Sequence, residues 1–136
     1  MEPVNEMESG FKLQNLILVE SNFKREAKVT FNTDLIQHIV NVDVNVQIEN
    51  NIIIVTETLN FTQKFEESTE VEALIKMIGI FEKFGESVLD SDKFGRINGA
   101  AIIFPFIREQ MTSLAAKAGL GLILLPPFNF TANKVN

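Results

Sequence analysis

Hydrophobic and polar residues alternate most regularly between Val40 and Ile48. Valine or isoleucine stands at every even position of this segment, and asparagine, aspartate or glutamine at every odd one. A period of two with one polar side is typical of a half-buried antiparallel strand. The segment 49–51 then predicts a tight hairpin turn. Residues 52–65 predict the returning strand, whose alternation is inverted at Glu57.

Two further segments predict the remaining strands. The segment 11–19 begins with one polar side and becomes apolar on both sides. We therefore expect a strand whose two faces are both covered near its end. The segment 71–84 starts with good helix formers, but we favour a strand because it completes an antiparallel meander. We expect a solvated crossover loop over 21–37, which carries the only basic cluster of the chain: Lys24, Arg25 and Lys28.

The stretch 97–130 predicts the main helix. Residues 100–107 carry no charged or polar side chain, so another layer or another subunit must cover them. Pro105 predicts that the helix starts or bends there, with Asn98 as the cap of a longer version. Gly119 suits a left-handed C-cap. One apolar stripe with helical spacing comprises Ile103, Ile107, Met111, Leu114, Ala115 and Ala118.

These elements predict an α+β fold, in which a four-stranded antiparallel sheet is followed by a long helix packed on one face. The segment 85–98 is predicted to connect the sheet to the helix. The length of 136 residues suits a single domain over 1–136, with residues 1–9 disordered. Because one helix must cover a large apolar surface, we infer that subunits associate.

Composition and charge narrow the possible partners. The net charge of −6 opposes binding to nucleic acid, which relies on lysine and arginine. The chain has no cysteine, which excludes disulfides and thiolate chemistry. The acidic start lacks the pattern of a signal peptide, and no uncharged run reaches the ~18 residues of a membrane span. We therefore expect a cytoplasmic protein without membrane insertion.

The residue patterns of an active site do not occur in this sequence. The only histidine is His38, and no serine stands in a nucleophile-elbow motif. A catalytic triad through His38 stays open, but a structural or surface histidine fits better. Asp90 and Asp92 lack the further oxygen ligands of a calcium loop, and one histidine makes a poor zinc site. We therefore predict that the protein is not an enzyme and uses no metal or cofactor.

Two motifs resemble the SecB family of export chaperones. Residues 104–109 read F-P-F-I-R-E, similar to the family's F-P-Y-A-R-E. Residues 125–130 read L-P-P-F-N-F, similar to its L-A-P-V-N-F. Weaker similarities are F-K-L-Q at 11–14, N-F at 22–23 and G-I-F at 79–81. The similarity runs from about residue 52 to residue 130 with few or no gaps.

The resemblance implies a homotetramer, a dimer of dimers with its helices sandwiched between sheets. It also implies an ATP-independent holdase that binds unfolded or precursor polypeptides in apolar grooves, assists protein export and passes clients to SecA. The implied peptide-binding residues are Phe23, Phe104, Phe106, Phe128 and Phe130. The implied oligomer interface comprises Ala73, Ile75, Met77, Ile103, Ile107, Met111 and Leu114. The implied SecA-docking residues are Glu20 and Glu72, with Glu57 as a further acidic candidate.

Departures from the family leave alternatives open. The family continues past the second motif into another helix and a tail that contacts SecA, whereas this sequence ends at Asn136. Lys24 also stands where the family carries an acid, so we expect weakened binding to SecA. A SecB-like chaperone dedicated to an antitoxin or another single client is one alternative. Others are a non-catalytic oligomeric binding module and a hot-dog ligand-binding or thioesterase-like domain, whose helix would precede later strands.

Overall fold

The sheet has four antiparallel strands. They are β1 (Gly10–Arg25), β2 (Ile36–Glu49), β3 (Ile52–Phe65) and β4 (Ser68–Phe84), in the spatial order β1-β4-β3-β2. A helical stretch follows, made of α1 (Ser91–Lys93), a π-helical segment (Phe94–Gly99) and α2 (Ala100–Lys117). A short α3 (Phe130–Asn133) comes last. This computed structural model describes residues 10–85, 90–123, 125–126 and 128–133, so the prediction for residues 1–9 lies outside the described residues.

Strands β2, β3 and β4 form the predicted meander. Two-residue turns at 50–51 and 66–67 join them, and Asn50 adopts the left-handed φ of 58° that asparagine tolerates. Strand β4 begins at Ser68, directly after the second turn. Strand β4 pairs with β1 on one side and β3 on the other. These two ladders override the helix propensity at its start, so the prediction of a strand is confirmed.

Strand β1 is six residues longer at its end than the pattern predicted. Its pairing with β4 shifts between Leu13 and Asn15 and again between Leu18 and Glu20. Each β-bulge inserts an extra residue and reverses the alternation, so the strand does not show a continuous period of two in the sequence. The prediction of a loop starting at residue 21 is therefore wrong, because the strand continues through Arg25.

The main helical stretch begins at Ser91, so the prediction of a connecting segment over 85–98 is wrong from that residue onward. Asp90 is the N-cap, since its side chain accepts a hydrogen bond from the Lys93 amide at 3.2 Å. The backbone stays helical through Asn98, which caps nothing, and through Pro105, which lies inside α2.

Two glycines obscured this helix start because they have low helix propensity. A Cβ atom on Gly95 would lie 2.9 Å from Val46 Cγ1, and one on Gly99 would lie 3.1 Å from Val55 Cγ2. The missing side chains let the helix rest directly on β2 and β3. The contact with the sheet therefore stabilises the helix at two positions where local propensity disfavours one.

The core lies between α2 and one face of the sheet. Its fully buried side chains from both layers include Ile53, Val55, Leu59, Phe61, Ile75, Phe81, Ile103, Ile107 and Met111. At the end of α2, Gly119 has a φ of 74°. Its amide donates to the Ala116 carbonyl at 3.1 Å, and the Leu120 amide donates to the Ala115 carbonyl at 3.0 Å. This Schellman motif confirms the predicted C-cap.

Candidate functional site

A groove with both apolar and polar lining lies beside two irregular segments of the chain. One is the crossover loop (residues 26–35) between β1 and β2, and the other is the post-helix segment (residues 118–123). The groove encloses about 370 Å³. Its apolar lining comprises Val29, Phe31, Ile36, Leu120, Leu122 and Ile123, and its polar lining comprises Thr30, Asn32, Thr33, His38 and Gln63. Phe31 is 53% exposed and Leu122 is 71% exposed, so apolar surface faces solvent here.

Hydrogen bonds to Glu70 hold the crossover loop against the sheet. The Thr30 amide donates to Glu70 Oε1 at 3.0 Å, and the Thr30 hydroxyl donates to Oε2 at 2.7 Å. Gln63 Nε2 donates to Glu70 Oε1 at 3.2 Å. His38 Nε2 lies 2.7 Å from Gln63 Oε1, so the ring nitrogen is the donor. Four residues from four parts of the chain thus form one polar network beside the groove.

The negative charge of Glu70 strengthens the hydrogen bonds that hold the crossover loop against the sheet. The Thr30 side-chain hydrogen bond, followed by the Thr30 backbone hydrogen bond, lowers the pKa of Glu70 below its ordinary value. Hydrogen bonds to the ionised form are the physical cause, because they stabilise the carboxylate. The carboxylate therefore keeps the loop anchored at neutral pH.

Three phenylalanines bring the two sequence motifs together in space. The ring of Phe104 lies 5.4 Å from that of Phe128 and 5.9 Å from that of Phe130, and the rings of Phe128 and Phe130 are 6.1 Å apart. The Arg108 guanidinium stands 5.5 Å from the Phe104 ring centre, as in a cation–π contact. The aromatic residues of the two motifs therefore pack on one another.

The predicted peptide-binding residues separate into different environments. Phe104 and Phe130 are buried in the core, Phe128 is half-buried beside them, and Phe23 is half-buried on β1. Phe106 is 47% exposed on the outward side of α2. None of the five lines the groove described above.

The sequence matches the family model described as preprotein translocase subunit SecB over residues 10–133. The chain belongs to the SecB family. A protein-export protein SecB of Alcanivorax borkumensis is 27% identical over 140 residues, which covers 94% of this chain and 85% of the relative. A protein-export protein SecB of Chromobacterium violaceum is 31% identical over 86 residues, with 63% of this chain and 57% of the relative covered.

An uncharacterized protein of Methanocaldococcus jannaschii is 28% identical over 102 residues, which covers 71% of this chain and 65% of the relative. This chain thus spans less than two thirds of that relative and of the Chromobacterium one. Among solved structures, a Mycobacterium tuberculosis SecB-like chaperone in complex with a ChAD peptide from the HigA1 antitoxin has a TM-score of 0.75 at 11% identity. The structural alignment covers 88% of this chain and 91% of the M. tuberculosis chain. The likeness confirms the predicted fold, a four-stranded antiparallel sheet followed by a helix.

Most residues predicted for the oligomer interface of this SecB-family chain lie in its own core. Ala73, Ile75, Met77, Ile103, Ile107 and Met111 are buried between sheet and helix, and Leu114 is half-buried. The exposed apolar side chains include Ile102 and Phe106 on α2, and Leu13 and Leu18 on the helix-facing side of β1.

The acidic candidates divide between the two faces of the sheet. Glu20 and Glu72 are exposed on the face away from the helix, and Glu20 Oε1 lies 3.8 Å from Lys76 Nζ. Lys24 pairs directly with Glu72 across the β1–β4 ladder. Glu57 lies on the other face and is fully buried. Its interpretation as a surface acid is therefore wrong, because it occupies an inward position of β3.

Sequence reasoning missed the groove residues. Phe31 and Leu122 are apolar residues in segments that read as loops, and only their unusual position among turn formers could have indicated a binding surface. The part of the chain that the structure describes holds no group of three histidines or carboxylates placed for a metal ion. None of its helices is long and apolar enough to cross a membrane.

Proposed function

We propose that this SecB-family protein is an ATP-independent holdase that binds unfolded or precursor polypeptides and assists protein export from the cytoplasm. The exposed apolar lining of the groove carries the proposal. An unfolded polypeptide exposes apolar segments that can cover this lining, whereas a folded protein buries most of them. Binding of this kind needs no bond to be made or broken. The protein therefore acts without enzymatic chemistry and without a cofactor.

Apolar burial sets the expected affinity and its breadth. Covering apolar surface contributes ~25 cal/mol per Å² gross, from which the cost of ordering the client is subtracted. The polar residues Asn32 and Thr33 line the groove as well, and their side chains can hydrogen-bond the backbone of an extended client segment. Recognition should thus depend on apolar content rather than on one sequence.

Aggregation of a chemically denatured client, followed by light scattering, tests this function. We expect a stoichiometric amount of this protein to suppress scattering without nucleotide. Replacing groove residues, as in Phe31→Ser combined with Leu122→Ser, should weaken client binding about tenfold or more, since each removes a side chain worth ~1.5–3 kcal/mol when fully buried.

Val19→Ser is the matched control, because Val19 is 45% exposed and lies on β1, away from the groove. Unchanged scattering in the presence of excess wild-type protein would contradict the proposal. Equal losses in the groove variant and the Val19 variant would show that clients bind elsewhere.

A dedicated client is the second candidate. The M. tuberculosis SecB-like chaperone that shares this fold was solved with a peptide from an antitoxin. If this chain serves one antitoxin or another single client, that partner will compete with denatured clients for the groove at far lower concentration. Competition in the same scattering assay separates a general holdase from a dedicated one.

We also propose weak docking of SecA to the exposed sheet face that carries Glu20 and Glu72. Lys76 near Glu20 and Lys24 opposite Glu72 offset much of the acidic field, and exposed charges are screened beyond ~8 Å at physiological ionic strength. Binding should be micromolar or weaker, and raising the salt or introducing Glu20→Lys should abolish it. A titration with the host's SecA that gives nanomolar, salt-insensitive binding would contradict this proposal.

A further inference from the structure

Arg25 connects two distant parts of the chain at one end of the groove. Its Nη1 donates to the Ala118 carbonyl at 2.6 Å. Its Nε donates to the Glu26 carbonyl and its Nη2 to the Ala27 carbonyl, both at 2.8 Å. All three acceptors are backbone oxygens. Two belong to the start of the crossover loop and one to the end of α2.

The chemistry of these contacts suits arginine in particular. Ala118 is the C-cap of α2, and the last carbonyls of a helix lack partners within it and carry partial negative charge. A guanidinium offers five N–H donors in a fixed plane, so one side chain can serve several carbonyls at once. Arg25 is half-buried, and the described part of the chain provides no carboxylate within ion-pair distance of it. Its charge therefore serves the backbone carbonyls.

The two connected segments continue directly into opposite walls of the groove. Beyond Ala27, the crossover loop supplies Val29 and Phe31, and beyond Ala118 the post-helix segment supplies Leu120 and Leu122. Glu70 fastens the loop to the sheet through Thr30. Only the Arg25 contacts, among the hydrogen bonds of the described residues, run from the loop side to the helix end.

We propose that Arg25 is a positioning residue of the groove, which fixes the spacing of its two walls and so prepares it for an apolar polypeptide segment. This inference rests on the proposed function. A binding surface that is held in place loses less conformational entropy when a client binds. Without the guanidinium the walls move independently, and the client must order both of them.

A purely structural helix cap would predict a different result. Loss of a cap alone would lower the stability of the last turn of α2 and leave the crossover loop unaffected. A positioning role predicts that both walls loosen together and that client affinity falls while the sheet stays intact.

The test compares Arg25→Met and Arg25→Lys with Lys24→Met in the full chain. Lys24 is the neighbouring cation on the opposite side of β1, so its variant removes the same charge without touching the groove. Dissociation constants for reduced, carboxymethylated lactalbumin are measured together with amide hydrogen exchange over residues 26–36 and 118–123 and with thermal unfolding. We expect Arg25→Met to bind about tenfold more weakly, with faster exchange in both segments and little change in β3 and β4.

Arg25→Lys should retain the charge but lose most of the three-way contact, so its affinity should fall between wild type and Arg25→Met. Wild-type affinity in both Arg25 variants, or faster exchange in 118–123 alone, would overturn the inference. If Arg25→Met fails to fold, Arg25→Lys decides through the same measurements. Failure of the wild-type protein to bind lactalbumin would count against the proposed function, whereas the exchange data would still show whether Arg25 couples the walls.

Discussion

At the scale of single residues, Glu57 is the most unusual feature of the core. Its side chain is fully buried, and neither carboxyl oxygen has a hydrogen-bond partner among the described residues. Its direct neighbours across the sheet are Val44 on β2 and Met77 on β4. Burial disfavours the charged form and raises the pKa of Glu57 to about 8. The core therefore contains a neutral carboxylic acid at neutral pH.

This pKa predicts a pH-dependent stability. The unfolded chain ionises Glu57 near its ordinary value of 4.5, whereas the folded chain holds the proton up to about pH 8. The free energy of unfolding should thus be highest, with respect to this group, below pH 4.5. It should fall as the pH rises from 4.5 to about 8 and then level off, with a total loss on the order of 5 kcal/mol.

Urea denaturation of wild type and Glu57→Gln across this range checks the prediction, since the difference between the two curves isolates Glu57 from other titrating groups. Glu70 contributes in the opposite direction. Because its pKa is lowered in the folded state, the stability that its carboxylate contributes is lost only as the pH falls into the acid range. Glu72→Gln makes the same substitution at an exposed position and is the control for the change of side chain. Identical slopes in wild type and Glu57→Gln would show that Glu57 is not protonated in the folded state.

At the scale of elements, the contact between the helical stretch and the sheet depends on residues without side chains. Gly95 and Gly99 are both buried against β-strand residues. On an isolated helix, alanine would be favoured over glycine by ~1 kcal/mol. The position of the helix on the sheet reverses this preference.

Gly95→Ala should therefore destabilise the protein by ~1–3 kcal/mol, the usual cost of overpacking. The added methyl group would lie 2.9 and 3.0 Å from the two γ-carbons of Val46. Val46→Ala removes those carbons, so the alanine at residue 95 should cost much less in that background. Denaturant unfolding of the four proteins of this cycle measures the coupling. A Gly95→Ala variant as stable as wild type would contradict the close contact.

At the scale of the whole molecule, part of the helix surface remains uncovered. Ile102 is 41% exposed and Phe106 is 47% exposed, one turn apart on α2. Leu18, 44% exposed, lies on the helix-facing side of edge strand β1. The homotetramer implied by the sequence resemblance stays a prediction, and exposed apolar side chains of this kind are typical of an interface between subunits.

Phe106→Asp should therefore reduce the assembly to dimers or monomers, because burying an unpaired charge at an interface is costly. Native mass spectrometry at micromolar concentration measures the change. Ile39→Asp is the control, since Ile39 is 43% exposed on the sheet face away from the helix. A wild-type monomer, or an unchanged assembly in the Phe106 variant, would rule out this interface.

The sequence by itself determined the strands with regular alternation, the end of the helix and the family. Residues 40–65 follow a period of two because one side of each strand is buried. Gly119 marks the C-cap because glycine takes the left-handed conformation without steric cost. The motifs at 104–109 and 125–130 identified the family through their similarity to its sequence motifs, and the structure shows that their aromatic residues pack on one another. Each of these signals depends on neighbouring residues or on an environment that recurs at every second residue of a strand.

Only the tertiary structure decided the remaining features. The bulges of β1 hid its second half, and the glycines of the helix start were read as a connection, because partners distant in sequence set both conformations. Glu57 was interpreted as a surface acid although the period-two pattern places it on the apolar side of β3, because a carboxyl group is rarely buried. Only the structure shows that it lies inside the core. The groove combines residues 29–38 with residues 118–123. Arg25 connects its two walls, and Glu70 fastens the crossover loop to the sheet. The partners of neither residue can be identified from sequence spacing alone.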